Sequence, residues 1–161
     1  MAYIRTRAVD YALRWAFKRN PQYANFDLMG GDCTNFVSQC LYAGCQVMNI
    51  TKDVGWYYFS LNDRSAAWTG VQYLYTFLTT NQGPGPYGRQ LPLGAAEPGD
   101  VIQLSFDGVN YAHSLLVTRT GDTSSVSNIM LTSHTFDAKN RPLTTYFYQS
   151  LRLIHLDGAR Y

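Results

Sequence analysis

Cys33 and His113 are the residues of this 161-residue sequence whose types and positions best suit covalent catalysis. Cys33 follows Gly30-Gly31-Asp32 and opens an apolar pattern of helical spacing, which predicts that its sulfur lies in the first turn of a helix. The free N–H groups and the macrodipole of a helix N-terminus favour a thiolate, and the same N–H groups can bind an oxyanion. A cysteine nucleophile also needs a base, and His113 opens a predicted strand, where a polar ring can meet a cleft. The sequence therefore predicts a pair of nucleophile and base.

The neighbours of this pair determine how well it could work. Asp32 would raise the pKa of the adjacent thiol unless its side chain turns back to cap the helix, as we expect of an Asp in this position. His113 also needs a polar partner that fixes its tautomer. If strands 111–118 and 128–134 pair antiparallel about the polar turn between them, His134 faces His113 on the same side of the sheet.

Each of these residues also has a simpler explanation. Cys33 lies on the apolar side of its predicted helix, where a buried core thiol is common, and His134 or His155 alone would suit a strand end or the surface. Cys33, Cys40 and Cys45 are an odd set with no zinc-like spacing, so we expect reduced cysteines and neither a metal nor a cofactor. The combination of two glycines, Asp, Cys and a later His favours a catalytic role for Cys33 and His113 over these structural explanations.

Length and composition indicate one domain over residues 1–161, with 46% hydrophobic and 15% charged residues. A net charge of +2 without basic runs argues against a nucleic-acid partner, and no apolar stretch is long enough to span a membrane. Charged residues interrupt the first 17 residues, which excludes a signal peptide there. We expect a monomer made in the cytoplasm, acting at the cell wall if it is a piece of an exported protein or is released by lysis.

The remaining pattern predicts helices first and an antiparallel sheet of about five strands afterwards, an α+β domain. The first helix begins at Ile4 and ends before Asn20-Pro21, the second runs from Cys33 to Gly44, and a third follows Thr69. Strands are predicted at 100–106, 111–118, 128–134, 145–148 and 151–156, with a polar turn at 121–125.

The sequence around these residues resembles the putative amidase domain family, which is related to the NlpC-like and CHAP peptidases of the papain-like superfamily. The strongest match is the segment from Gly30 to Gln39, which contains Cys33. Weaker matches span nearly the whole chain: Asn20 to Tyr23, Gly55 to Tyr58, Trp68 to Val71, Glu97 to Gln103, His113-Ser114 and His134 to Asp137.

This resemblance implies a papain-like fold and cleavage of a peptide or amide bond, typically in bacterial cell-wall peptides. It implies Cys33 as the nucleophile, His113 as the base and then the acid, and His134 as the third polar residue. The hairpin between the two histidines is longer than in NlpC-like proteins, which leaves Asp137 as a rival for the third role.

Substrate binding is predicted from the aromatic segments, which would wall a groove for a peptide or peptidoglycan or would merely cover the core. These residues are Trp56, Tyr57, Tyr58 and Trp68. Two other functions stay open at this point: a binding module of the same fold that has lost turnover, and an acyltransferase that uses the same Cys-His pair.

Overall fold

The computed structural model of the protein describes residues 2–122 and 125–161. The helices in these ranges are α1 (Arg5–Trp15), α2 (Cys33–Cys45), α3 (Ala66–Thr69) and α4 (Val71–Thr80). The strands are β1 (Tyr58–Ser60), β2 (Asp63–Arg64), β3 (Gly85–Leu91), β4 (Val101–Ser105), β5 (Tyr111–Arg119), β6 (Met130–Ser133), β7 (Ala138–Pro142) and β8 (Ser150–Arg160).

The main sheet has six antiparallel strands in the order β3-β8-β4-β5-β6-β7, while β1 and β2 form a separate ribbon. The sequence predicted about five strands and missed β3, which begins in a Gly-Pro segment. Pro86 is tolerated there because β3 is an edge strand. The predicted strand at 145–148 is wrong, since a 3₁₀ turn occupies Leu143–Thr145 and β7 supplies the edge. Part of the predicted turn at 121–125 lies outside the described residues.

The sheet divides the core into two layers. On one face the helices pack on the sheet, α2 mainly against β5, around a cluster that includes Val101, Leu116 and Ile154. The other face buries a smaller cluster that includes Ile102, Leu115 and other aliphatic side chains of the same strands, covered by the segments around the two 3₁₀ turns. Alternate residues along a strand therefore point to different faces of the sheet. The register of strand pairing decides which polar side chains lie together on each face.

The pairing of β5 with β6 differs from the predicted pairing by one residue. Leu116 pairs with Thr132, and a bulge follows Val117. The prediction that sets His134 opposite His113 is therefore wrong, because the bulge next to the turn shifts the ladder. A shift of one residue moves every side chain to the other face of the sheet.

Side-chain contacts agree with this register. Ser114 and His134 face α2, where Ser114 Oγ lies 3.0 Å from Thr34 Oγ1 and His134 stacks on Phe36. His113 and Ser133 alternate with them and therefore face the other side of the sheet. The two histidines lie on neighbouring strands but on opposite faces.

Candidate active site

Cys33 is the first residue of α2 and is only 7% exposed. Its Sγ lies 3.7 Å from Thr34 Oγ1 and accepts a hydrogen bond from the backbone N–H of Ser114. Burial raises the pKa of the thiol, and these hydrogen bonds partly offset the rise. The resting form at neutral pH is therefore a buried thiol held against β5.

The end of β6 leaves the N–H of Ser114 free for this contact. N–H groups alternate between the two neighbours of a strand, and that of Val117 donates to Asp100 beside β4. The N–H of Ser114, three residues earlier, points to the β6 side, where the strand has already ended at Ser133. Cys33 Sγ takes the place of a strand partner at this position.

His113 directly precedes Ser114, so the structure brings the predicted base to the strand segment that the sulfur contacts. The imidazole is buried and makes no hydrogen bond with another described residue, including Cys33. Burial lowers the pKa of His113 to about 4, and the Arg141 guanidinium adds to this effect. The ring is therefore neutral at pH 7 and has a nitrogen lone pair available as a base.

Asp32 does not cap α2 as predicted. No backbone N–H of the helix donates to its side chain. Oδ1 instead accepts hydrogen bonds from the Phe26 N–H and from Asn35 Nδ2, both at 2.9 Å, and Oδ2 lies 2.5 Å from Nδ1 of His134. These partners come from three separate segments, so the carboxylate joins the loop before Cys33 to the end of β6.

His134 has no nitrogen left for His113, which corrects the predicted orienting bond. While Nδ1 faces Asp32, Nε2 lies 2.7 Å from the carbonyl oxygen of Trp15. A carbonyl oxygen only accepts, so Nε2 is the donor in that contact, and Nδ1 is taken up by the Asp32 carboxylate. The ring also stacks on Phe36 at 3.9 Å. In this structure His134 fastens the end of α1 to the start of α2.

Asp137, the rival for the third role, does not reach His113 either. Its carboxylate accepts two hydrogen bonds from Arg19, at 2.9 and 3.0 Å. Arg19 also donates to Asp27, at 2.9 and 3.1 Å. The arginine thereby bridges the segment that precedes Cys33 and the segment that follows His134.

Two hydroxyl groups on the His113 face of the sheet were missed in the sequence. Ser133 Oγ and the Tyr146 hydroxyl are buried, and neither has a hydrogen-bond partner of good geometry among the described residues. Burial raises the pKa of Tyr146, and the nearby Ser133 and Arg141 side chains partly offset this rise. Buried polar atoms without partners are rare, so this group calls for an explanation. Alternation along β6 would have indicated Ser133 if the register had been known.

The aromatic residues predicted to wall a groove lie mainly in the core. Trp56 and Trp68 are fully buried, and their indole N–H groups donate to Ser38 Oγ and to Asn35 Oδ1, each at 3.0 Å. Tyr58 is 8% exposed. The groove prediction is wrong for these three because polar groups on α2 satisfy the indoles inside the core.

Tyr57 is the remaining residue of the predicted aromatic set. It is half-exposed, and its ring lies 5.4 Å from that of Phe59.

Within residues 2–122 and 125–161, no group of three or more His, Cys, Asp or Glu side chains is arranged to hold a metal ion. In the same residues no helix is long and apolar enough to cross a membrane.

A known protein family matches most of the chain. The family model described as "Putative amidase domain" matches residues 2–156. The chain belongs to this family. The description of the putative amidase domain family indicates amide hydrolysis as the class of reaction. The resemblance inferred from the Gly30 to Gln39 segment is confirmed to that extent.

A curated bacterial protein is similar to most of this chain. The chain is 30% identical over 141 residues to the uncharacterized protein YhbB of Bacillus subtilis (strain 168). The matched region covers 86% of this chain and 43% of the relative, so the chain spans less than half of that protein's length. No solved structure matches the chain.

Proposed function

We propose that the protein is a cysteine-dependent amidase in which Cys33 is the nucleophile and His113 is the general base. The observation that carries this proposal is the position of Cys33 Sγ: it lies at the N-terminus of α2, on the backbone N–H of Ser114, one residue from His113. Membership of the putative amidase domain family supports the reaction class. The pair itself is our inference from the site.

The reaction begins with a neutral pair, a thiol and an imidazole. His113 accepts the proton of Cys33 as the sulfur attacks the amide carbonyl carbon, which converts the carbonyl oxygen to an oxyanion. N–H groups in the first turn of α2 have no acceptor within the helix and can stabilise this charge. His113 then gives the proton to the leaving amine, and a thioester of Cys33 remains. Water attacks the thioester, passes its proton through His113 to the sulfur, and releases the acid and the free thiol.

We propose Ser133 and Tyr146 as the positioning residues for His113, in place of His134. Both hydroxyls are buried, neither has a hydrogen-bond partner of good geometry among the described residues, and they lie with Arg141 on the face of the sheet that His113 shares. A ring N–H of His113 donating to Ser133 Oγ would leave the other nitrogen unprotonated toward Cys33. Arg141 lies over the Tyr146 ring at 4.0 Å, which holds that side of the group in place.

The substrate we propose is a peptide amide of the bacterial cell wall, cleaved by a domain with a papain-like fold related to NlpC-like and CHAP peptidases. The sequence resemblance supports this part, and a bacterial origin of the substrate agrees with the occurrence of a similar protein in Bacillus subtilis. It implies action at the cell wall, with the domain working as a monomer. The helix N-terminus packed on an antiparallel sheet is compatible with such a fold.

Digestion of purified peptidoglycan and of a peptide library tests this function, with mass spectrometry of the products. We expect new amine and acid termini with the wild-type protein and none with Cys33→Ala. Cys45→Ala is the matched control, because Cys45 lies at the other end of the same helix and is also buried. Products that join two peptides identify an acyltransferase. Binding without any product, or turnover by Cys33→Ala, contradicts the proposal.

A further inference from the structure

Three large apolar side chains are exposed around the segment that leads to Cys33. Leu28 is 99% exposed, Phe136 85% and Met29 51%. We call Leu28, Met29 and Phe136 the apolar rim. Leu28 and Met29 precede Gly30-Gly31 in sequence, and Phe136 follows the end of β6. Arg19 pairs with both Asp27 and Asp137, the residues next to Leu28 and Phe136, which brings the two segments to the same part of the surface. Exposed apolar patches are a feature of binding sites.

The rim is held by specific contacts. Thr135 Oγ1 accepts a hydrogen bond of 2.9 Å from the N–H of Asp32, which ties the residue before Phe136 to the residue before Cys33. Gly31 packs on the same threonine, because a Cβ placed there would lie 3.2 Å from Thr135 Oγ1. On the outer side, the Arg19 bridge holds the two segments together. Both parts of the rim are therefore fixed relative to the nucleophile.

The backbone at the rim adopts an unfavourable conformation. Thr135 and Phe136 both have φ of 59°, in the left-handed region that β-branched and aromatic residues rarely occupy. This conformation directs an aromatic side chain into solvent, where it adds nothing to the core. Backbone strain of this kind is found at functional sites, where neighbouring structure maintains it.

We infer that the apolar rim binds an apolar side chain of the amide substrate, next to the bond that Cys33 attacks. This inference rests on the proposed function and names its substrate class. The two carboxylates that flank the rim in sequence, Asp27 and Asp137, both pair with Arg19, so neither is unpaired, although the three groups together keep one net negative charge. This charge disfavours an acidic side chain of the substrate. A Cβ at Gly30 would meet nothing within 4 Å, which leaves room for a substrate chain beside the rim.

Two alkylating probes separate rim binding from reactivity at the sulfur. Iodoacetamide reports the intrinsic reactivity of the Cys33 sulfur, without a contribution from the rim. N-benzyl-iodoacetamide carries the same reactive group and an aromatic ring that the rim can bind. Each attack forms a carbon–sulfur bond and releases iodide and a proton. The measured quantity is the ratio of the second rate constant to the first at Cys33. In the wild type we expect this ratio to exceed one, because the rim binds the benzyl ring beside Cys33.

The informative variants are Phe136→Asn and Leu28→Ser, since Asn tolerates the left-handed backbone. Each should lower the ratio about fivefold while the iodoacetamide rate stays near that of the wild type, because loss of one apolar contact costs this much binding. Phe147→Ser is the matched control, since Phe147 is 92% exposed but outside the rim, and its ratio should not change.

The outcomes distinguish the two proposals. Two outcomes with a reactive Cys33 overturn the rim proposal and leave the proposed function standing. In the first, the ratio is the same in the rim variants and the wild type; in the second, it falls equally in Phe147→Ser. A Cys33 that reacts with neither reagent overturns the proposed function, and the rim with it. A ratio that falls only in the rim variants supports both.

Discussion

His113 and His134 are both buried on neighbouring strands, yet their surroundings differ completely. His134 has an acceptor at each ring nitrogen and an aromatic ring against its face. His113 has no hydrogen bond with a described residue, and its pKa is lowered to about 4 by burial and by Arg141. A histidine whose nitrogens are both occupied holds structure together, whereas the proposed general base needs the unused bonding capacity that His113 keeps.

Replacing His113 gives the largest effect that this comparison predicts. His113→Ala should lower amide turnover by about a thousandfold or more, because the thiol then has no base. The melting temperature should fall little or rise, since the ring makes no hydrogen bond that the fold would lose. Product formation followed by mass spectrometry measures the first effect, and thermal unfolding the second. A variant that retains most of its turnover would remove His113 from the mechanism.

Replacing His134 should have the opposite effect. His134→Ala leaves the buried Asp32 carboxylate without its closest partner and should lower the free energy of unfolding by about 3 kcal/mol. The fraction that stays folded at low temperature should keep turnover within about tenfold of the wild type. Denaturant titration tests the loss of stability. Activity measured at about 10–15 °C, near the usual temperature of maximum stability, tests the turnover. A fully folded His134→Ala protein without activity would return the catalytic role to His134.

The pH dependence of stability distinguishes His113 from other groups. In the folded protein its pKa is about 4, below the ordinary value of about 6.5 for the unfolded chain. Between these values the unfolded chain binds a proton that the folded protein does not, so His113 lowers stability as pH falls toward 4. His113→Ala should therefore lose less stability than the wild type between pH 7 and pH 4, by about 3 kcal/mol. Parallel stability curves for the two proteins would contradict a buried neutral imidazole.

The smallest effects are expected at the two hydroxyls behind His113. Ser133→Ala and Tyr146→Phe should each lower turnover about tenfold, with the substrate KM nearly unchanged, because they orient the base without touching substrate. Ser133→Thr keeps the hydroxyl and should recover most of the loss. Both variants should lose little stability, since neither hydroxyl has a hydrogen bond of good geometry with a described residue that the fold would lose. A loss of stability without a change in kcat would make the hydroxyls structural.

Local patterns in the sequence located the elements that carry the site. The spacing of apolar residues and Asn20-Pro21 identified α1, the segment beginning at Cys33 identified α2, and polar turns bounded β4 and β5. These features depend on residues that are close in sequence. The position of Cys33 at the start of a helix was therefore predictable.

Contacts between distant segments could not be predicted in this way. The register of β5 with β6 depends on a bulge that the alternating pattern does not reveal, and one residue of error exchanged Ser133 for His134. The partners of Asp32 come from Phe26, Asn35 and His134, whose approach requires the whole fold. The choice between a groove and the core for Trp56 and Trp68 depended on Ser38 and Asn35 of α2, which accept their indole N–H groups and are distant in sequence.

The rates at which iodoacetamide modifies the three cysteines test the central claim most directly. Burial raises the pKa of all three thiols, to about 11 for Cys45 and well above the ordinary value for Cys40. With His113 as its base, Cys33 should react at pH 7 at least about tenfold faster than Cys45, and His113→Ala should remove this advantage. Peptide mass spectrometry gives all three rates in one sample. A Cys33 no faster than Cys45, or one equally fast in His113→Ala, would contradict the Cys33-His113 pair.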